Sequence, residues 1–124
     1  LKHKKQEYEN LQRTISWNEL RGNTPSTLNW DLEIEMLQEE LDELKSASTD
    51  VDRFDALLDL KFVLTGSLGK MALSPSQIVD GYEAVITANE MKGTQKNASG
   101  KITKPSGWSQ FAPEPKLSEI LCQR

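Results

Sequence analysis

The sequence predicts an all-α protein: an antiparallel four-helix bundle with an irregular C-terminal tail. Three observations predict it. Apolar residues recur at three- and four-residue intervals through most of residues 3–93. No segment alternates with the period of two that a half-buried strand requires. From residue 93 onward Gly, Ser, Pro, Lys and Asn replace the periodic pattern.

The first helix is expected over roughly residues 3–21, where Tyr8, Leu11 and Ile15 hold helical spacing and Trp17 and Leu20 follow. Gly22-Asn23-Thr24-Pro25 ends it. The second, roughly 29–46, opens at Asn29, a good N-cap, and carries a broad apolar side of Leu32, Ile34, Met36, Leu37, Leu41 and Leu44. Ser46-Ala47-Ser48 links it to the third, which Thr49 or Asp50 caps and which runs to about residue 72. Val51, Phe54, Leu57, Leu58, Phe62, Leu64, Leu68 and Met71 make its apolar side, and Gly66 and Gly69 permit close packing. The fourth has the clearest start, because Ser74-Pro75-Ser76-Gln77 combines a capping Ser, Pro at the first helical position and Gln two further on. Ile78, Tyr82, Val85 and Ile86 form its stripe, and Gly93 is a good stop. One helical turn is expected in the tail, around Leu117–Leu121.

Residues 1–93 are thus expected to form the helical domain, with the tail, 94–124, packing on it. Short links make neighbouring helices antiparallel. The second and third helices are apolar over wider arcs than one partner each would cover, which points to a homodimer or homotetramer.

Composition narrows the function. A chain of 124 residues suits one modest domain. Cys122 is the lone cysteine, so no internal disulfide can form, and a reducing, cytoplasmic setting fits. With His3 the lone histidine, a zinc site or a Ser-His-Asp triad has no material. No apolar run approaches the roughly 20 residues of a membrane helix, so no membrane partner is expected. The net charge of −4 hides an asymmetry: residues 1–91 sum to −8 and residues 92–124 to +4. An acidic body argues against binding duplex nucleic acid.

The chemistry lies in Glu39-Glu40-Leu41-Asp42-Glu43 and Asp55-Ala56-Leu57-Leu58-Asp59. Like charges three or four apart on a helix repel by about 0.2–0.5 kcal/mol per pair. Glu39, Glu40 and Glu43 fall on one side of a helix, and Asp55 and Asp59 do the same on the next. A short antiparallel link makes the two groups face each other, and carboxylates set this way suit Mg²⁺. Leu41, Leu44, Leu57 and Leu58 are expected to hold the two helices together. The bland alternative is a solvated acidic face, which is how Asp31, Glu33, Glu35 and Asp42 read. At the end of the first helix Trp17, Asn18, Arg21 and Asn23 cluster. A Trp with an Asn can stack on and read a base; equally, Trp17 can be core.

The two acid motifs resemble the signature of the MazG-like all-α nucleoside triphosphate pyrophosphohydrolases, EExxE followed by ExxD. Asp55-Ala56-Leu57-Leu58-Asp59-Leu60, Val63, Gly66 and Leu68-Gly69 are similar to a stretch of that superfamily's small single-domain branch. So are Asn89-Glu90-Met91-Lys92 and the tail residues Gly100-Lys101, Lys104-Pro105 and Gly107-Trp108. The resemblance implies hydrolysis of a (d)NTP to monophosphate and pyrophosphate, in clearing unwanted nucleotides, with Mg²⁺ (or Mn²⁺ in its place). It implies Glu40, Glu43 and Asp59 as metal ligands and Glu39 as a ligand or the base acting on water. It implies Asn89, Lys92 and Lys104 as substrate ligands. Ala56 departs from the pattern, which wants an acid there, and Asp55 is the expected stand-in. The alternatives are a phosphoribosyl-ATP pyrophosphohydrolase and a non-enzymatic helical adaptor.

Overall fold

The N-terminal end of each predicted helix is where local chemistry acts first. The computed structural model describes residues 2–124 and contains five α-helices: α1 (Lys2–Glu19), α2 (Trp30–Ser46), α3 (Asp50–Lys70), α4 (Pro75–Glu90) and α5 (Glu114–Cys122). Among the described residues there is no strand, only an isolated antiparallel bridge between Lys96 and Ile102. Asn29 caps α2 as expected, its side chain accepting from the backbone N–H groups of Asp31 and Leu32. Thr49, rather than Asp50, caps α3 by accepting from Asp52 N–H. α4 starts at Pro75, whose missing N–H is no loss at a first helical position. In the tail, the single expected turn is a nine-residue helix, α5.

The chain divides between Pro75 and Ser76 into two compact units. In the first, α3 packs against both α1 and α2. α2 and α3 are antiparallel: Glu33 near the start of α2 meets Lys70 at the end of α3, and Glu43 near the end of α2 approaches Asp59. The sheltered stripe of α2 is Glu33, Met36, Leu37, Glu40 and Leu44, at the spacing of a helical seam. α3 shelters Ala56, Asp59, Leu60, Val63, Ser67 and Lys70. Of the four leucines expected to join these helices, only Leu44 is sheltered; Leu41, Leu57 and Leu58 are each about half exposed. Those three stand beside the seam positions, one residue off register, and a one-residue step turns a side chain by about 100°.

α1 lies close on α3 because two glycines allow it. A Cβ at Gly66 would stand 2.9 Å from the Asn18 amide nitrogen, and one at Gly69 would stand 3.0 Å from Ile15. Trp17 meets Phe62 edge to face at 5.2 Å between centroids. An exposed ion pair, Glu7–Lys61 at 3.2 Å, adds little.

The second unit comprises the rest of α4, the tail and α5. Its centre is Trp108, buried with Ile78, Ala88 and Ile120. The Trp108 indole N–H donates to the Ala88 carbonyl at 2.8 Å. Gly107 introduces the 3₁₀ turn Trp108–Phe111 from φ 78°, a left-handed conformation that favours glycine. That requirement explains the Gly before the Trp in the tail.

Candidate active site

Apart from the Glu33–Lys70 pair, the seam between α2 and α3 is mostly apolar or neutral, yet Glu40 and Asp59 sit in it with Glu43 at its edge. One carboxylate oxygen each from Glu40, Glu43 and Asp59 lies within 4.8 Å of the other two. Glu40 and Asp59 are half-sheltered and Glu43 is exposed, so the group opens to solvent on the Glu43 side. Burial pushes the Glu40 carboxyl above the usual glutamate range, with further pushes from the neighbouring Glu43 and smaller ones from Asp59 and Glu39. Burial also raises Asp59, helped by Asp55 and Glu43. One oxygen of Glu40, Oε2, is buried and has no hydrogen-bond partner. A buried carboxylate oxygen without a donor is costly. A divalent cation would satisfy it and offset the mutual repulsion of all three groups. The donor set is entirely oxygen, which fits a hard cation. Glu40, Glu43 and Asp59 are the residues that would hold it. When bound, such an ion supplies charge for phosphate oxygens and a polarised water.

Glu39 and Asp55 stand apart from this trio. Both are exposed, and neither contributes an oxygen to the group, although each bears on it electrostatically. Ala56, at the position where the signature wants an acid, is buried at 3% exposure.

Trp17 remains 41% exposed, but the Arg21 guanidinium lies over its ring at 4.2 Å and donates to the Trp17 carbonyl at 3.0 Å. Asn18 is buried. Its amide nitrogen donates to the Thr14 carbonyl at 3.1 Å, and its oxygen accepts from Asn23 at 3.3 Å. Its polar atoms are therefore engaged within the first unit.

In the second unit, Lys92 and Lys104 converge on Trp108, their ammonium groups 5.2 and 5.0 Å from the ring centroid. Neither forms an ion pair among the described residues. Asn89 is exposed and donates its side-chain N–H to the Val85 carbonyl at 2.8 Å.

Glu33 was expected on a solvated acidic face, and the structure corrects that. At 1% exposure it is among the most deeply buried side chains. Lys70 donates to its carboxylate at 2.7 Å and Ser67 Oγ donates at 2.8 Å. The available signal was its register: Glu33 falls four residues before Leu37 and seven before Glu40, on the seam rather than the open face.

The family model of phosphoribosyl-ATP pyrophosphohydrolase matches residues 8–85, more than half of the chain, including Glu40, Glu43 and Asp59. The chain belongs to the phosphoribosyl-ATP pyrophosphohydrolase family. This places it among the all-α pyrophosphohydrolases of the MazG-like superfamily, a divalent-metal-dependent family acting on nucleotide-like substrates, and the chain carries a carboxylate cluster suited to such a metal. A plain helical adaptor is thereby set aside. The match takes in residues 55–69 of the resemblance to the small single-domain branch and ends before its other parts, Asn89, Lys92 and the tail. No curated protein and no solved structure matches the chain. Among the described residues no helix is long and apolar enough to cross a membrane.

Proposed function

We propose that this protein is a Mg²⁺-dependent nucleoside triphosphate pyrophosphohydrolase that cuts between the α and β phosphates and releases a monophosphate and pyrophosphate. The observation that carries this reading is the Glu40, Glu43 and Asp59 trio with its unpartnered buried oxygen. Three carboxylates leave much of an octahedral Mg²⁺ shell to water and substrate oxygens. Glu39 serves as the base that takes a proton from water, and Asp55 holds an outer water. Lys92 and Lys104 serve as phosphate ligands and Asn89 as a phosphate or sugar donor. Trp17 offers its exposed part to a base. Asn18 supports Trp17's end of α1 rather than reading the base itself, because its amide is already engaged.

A second reading, hydrolysis of phosphoribosyl-ATP, is favoured by the family match over residues 8–85. The tail favours the first, since its Gly107-Trp108 pattern resembles the small branch. A panel of (d)NTPs and phosphoribosyl-ATP with Mg²⁺, with pyrophosphate and orthophosphate measured separately, tests both. Pyrophosphate from (d)NTPs is expected. Release from phosphoribosyl-ATP alone transfers the assignment to the second reading, and orthophosphate from either overturns the α–β cut.

The working unit is proposed to be a homodimer or a homotetramer. Ile34, Val51 and Phe54 are 60%, 78% and 66% exposed. Apolar side chains this open on adjoining helices suit a subunit interface. Sedimentation equilibrium decides it; a monomer at tens of micromolar refutes it.

A further inference from the structure

We propose that the buried Glu33–Lys70 ion pair is a positioning pair for the acidic site: it fixes the register of α2 on α3 so that Glu40 and Glu43 stand opposite Asp59. The inference rests on the metal-site reading above. Three features support it. The first is burial: Glu33 and Lys70 are 1% and 7% exposed, and Ser67 completes the hydrogen bonding of the carboxylate. A buried ion pair stabilises little compared with well-packed apolar residues, and its best-attested use is to specify register. The second is placement. Glu33 to Glu43 spans about 15 Å of α2, and Asp59 to Lys70 about 16.5 Å of α3, so the two clusters mark off lengths of one seam that agree to within one residue. The third is electrostatic. Glu40, Glu43 and Asp59 push α2 and α3 apart, whereas Glu33–Lys70 is the one ion pair among the described residues that joins them.

The hairpin is therefore held at both ends. The three-residue link after Ser46 holds one end covalently, and the ion pair holds the open one. Between these two points the rest of the seam, Met36, Leu37, Leu60 and Val63, is apolar. Apolar contacts are non-directional, and a shift along the seam would still bury them. The same shift would strand a buried charge at Glu33 or Lys70.

The test separates packing from positioning. The double substitution Glu33→Leu with Lys70→Met fills the site with apolar groups of similar size. Glu33→Gln keeps shape and most hydrogen bonding. Mn²⁺ affinity of each is measured calorimetrically, with urea unfolding in EDTA and far-UV circular dichroism alongside. The double variant is expected to remain helical and cooperatively folded while its Mn²⁺ affinity falls about tenfold; Glu33→Gln is expected to lose about threefold. A role in stability alone leaves the affinity of the folded variants unchanged, and wild-type affinity in both overturns the proposal. If the double variant does not fold, Glu33→Gln decides alone. Glu43→Gln is the control. If wild type binds no Mn²⁺, or Glu43→Gln binds it as well as wild type, the metal-site reading fails and this inference falls with it. If the control loses Mn²⁺ and the ion-pair variants do not, this inference alone fails.

Discussion

Gly66→Ala should destabilise the protein even though alanine is the better helix former. In the interior of α3 the change by itself gains about 0.5–1 kcal/mol. Against that, the new Cβ would stand 2.9 Å from Asn18 Nδ2, with Asn18 Cγ at 3.6 Å. Carbon and nitrogen do not approach so closely without repulsion, so the amide must move by several tenths of an ångström. Asn18 is 7% exposed, and the cavity it lines with Gly66 is only about 10 Å³, so the amide has little room to move. Its bonds to the Thr14 carbonyl and to Asn23 lengthen or break. Overpacking costs about 1–3 kcal/mol, and a lost buried hydrogen bond about 0.5–1.5 kcal/mol. The net expectation is a loss of about 1–3 kcal/mol, or a fall in Tm of about 4 °C per kcal/mol. Urea unfolding with linear extrapolation measures it. The double-mutant cycle with Asn18→Ala sharpens the test: once the amide is gone, Gly66→Ala should become neutral or stabilising. A Gly66→Ala protein as stable as wild type, or no coupling to Asn18, refutes the packing described for α1 on α3.

Other expectations follow from the same structure. Glu43→Gln and Asp59→Asn should each lower pyrophosphate release by at least about 10²-fold with helicity unchanged; retained turnover excludes the trio as the metal site. The raised carboxyls of Glu40 and Asp59 set a direction for pH dependence. Each binds its proton more tightly folded than unfolded, so the folded state holds more protons as pH rises past the ordinary values of 4.5 and 3.8. In EDTA, these two groups should therefore make stability fall as pH rises from about 4 through their raised values, and the loss should be complete above them. Saturating Mg²⁺ should remove that loss at neutral pH, and urea midpoints that are identical with and without Mg²⁺ at pH 7 contradict it. Ala72→Gly should stabilise the protein by about 0.5–1 kcal/mol, because Ala72 holds φ 65° just after α3; an unchanged or lower urea midpoint excludes stored strain there.

The helices themselves were legible in the sequence. Asn29, Thr49 and Pro75 act within one turn of their own positions, and capping is local chemistry that needs no tertiary partner. That Glu40 and Glu43 share one helix face, and Asp55 and Asp59 another, was legible too, because i,i+3 and i,i+4 spacing sets side chains on one face before any packing occurs. α5 was underestimated, since its Pro- and Lys-containing stretch has only Leu117, Ile120 and Leu121 to announce it, and burial of Ile120 against the second unit supplies what propensity does not. Which acids face one another is a different kind of question. Asp31, Glu33 and Glu35 are alternate residues of one acidic run, and nothing in their composition separates them. Only the packing of α2 on α3 turns Glu33 into a buried partner of Lys70 and leaves Asp31 and Glu35 in solvent. In the same way the packing gathers Asp59 with Glu40 and Glu43 while leaving Asp55 outside. The sequence by itself determined where the helices begin, that they are helices, and that carboxylates would crowd two adjoining faces. The tertiary structure decided which of those carboxylates meet, because a register between two helices is a non-local quantity, set by the few side chains that cannot be buried in any other alignment.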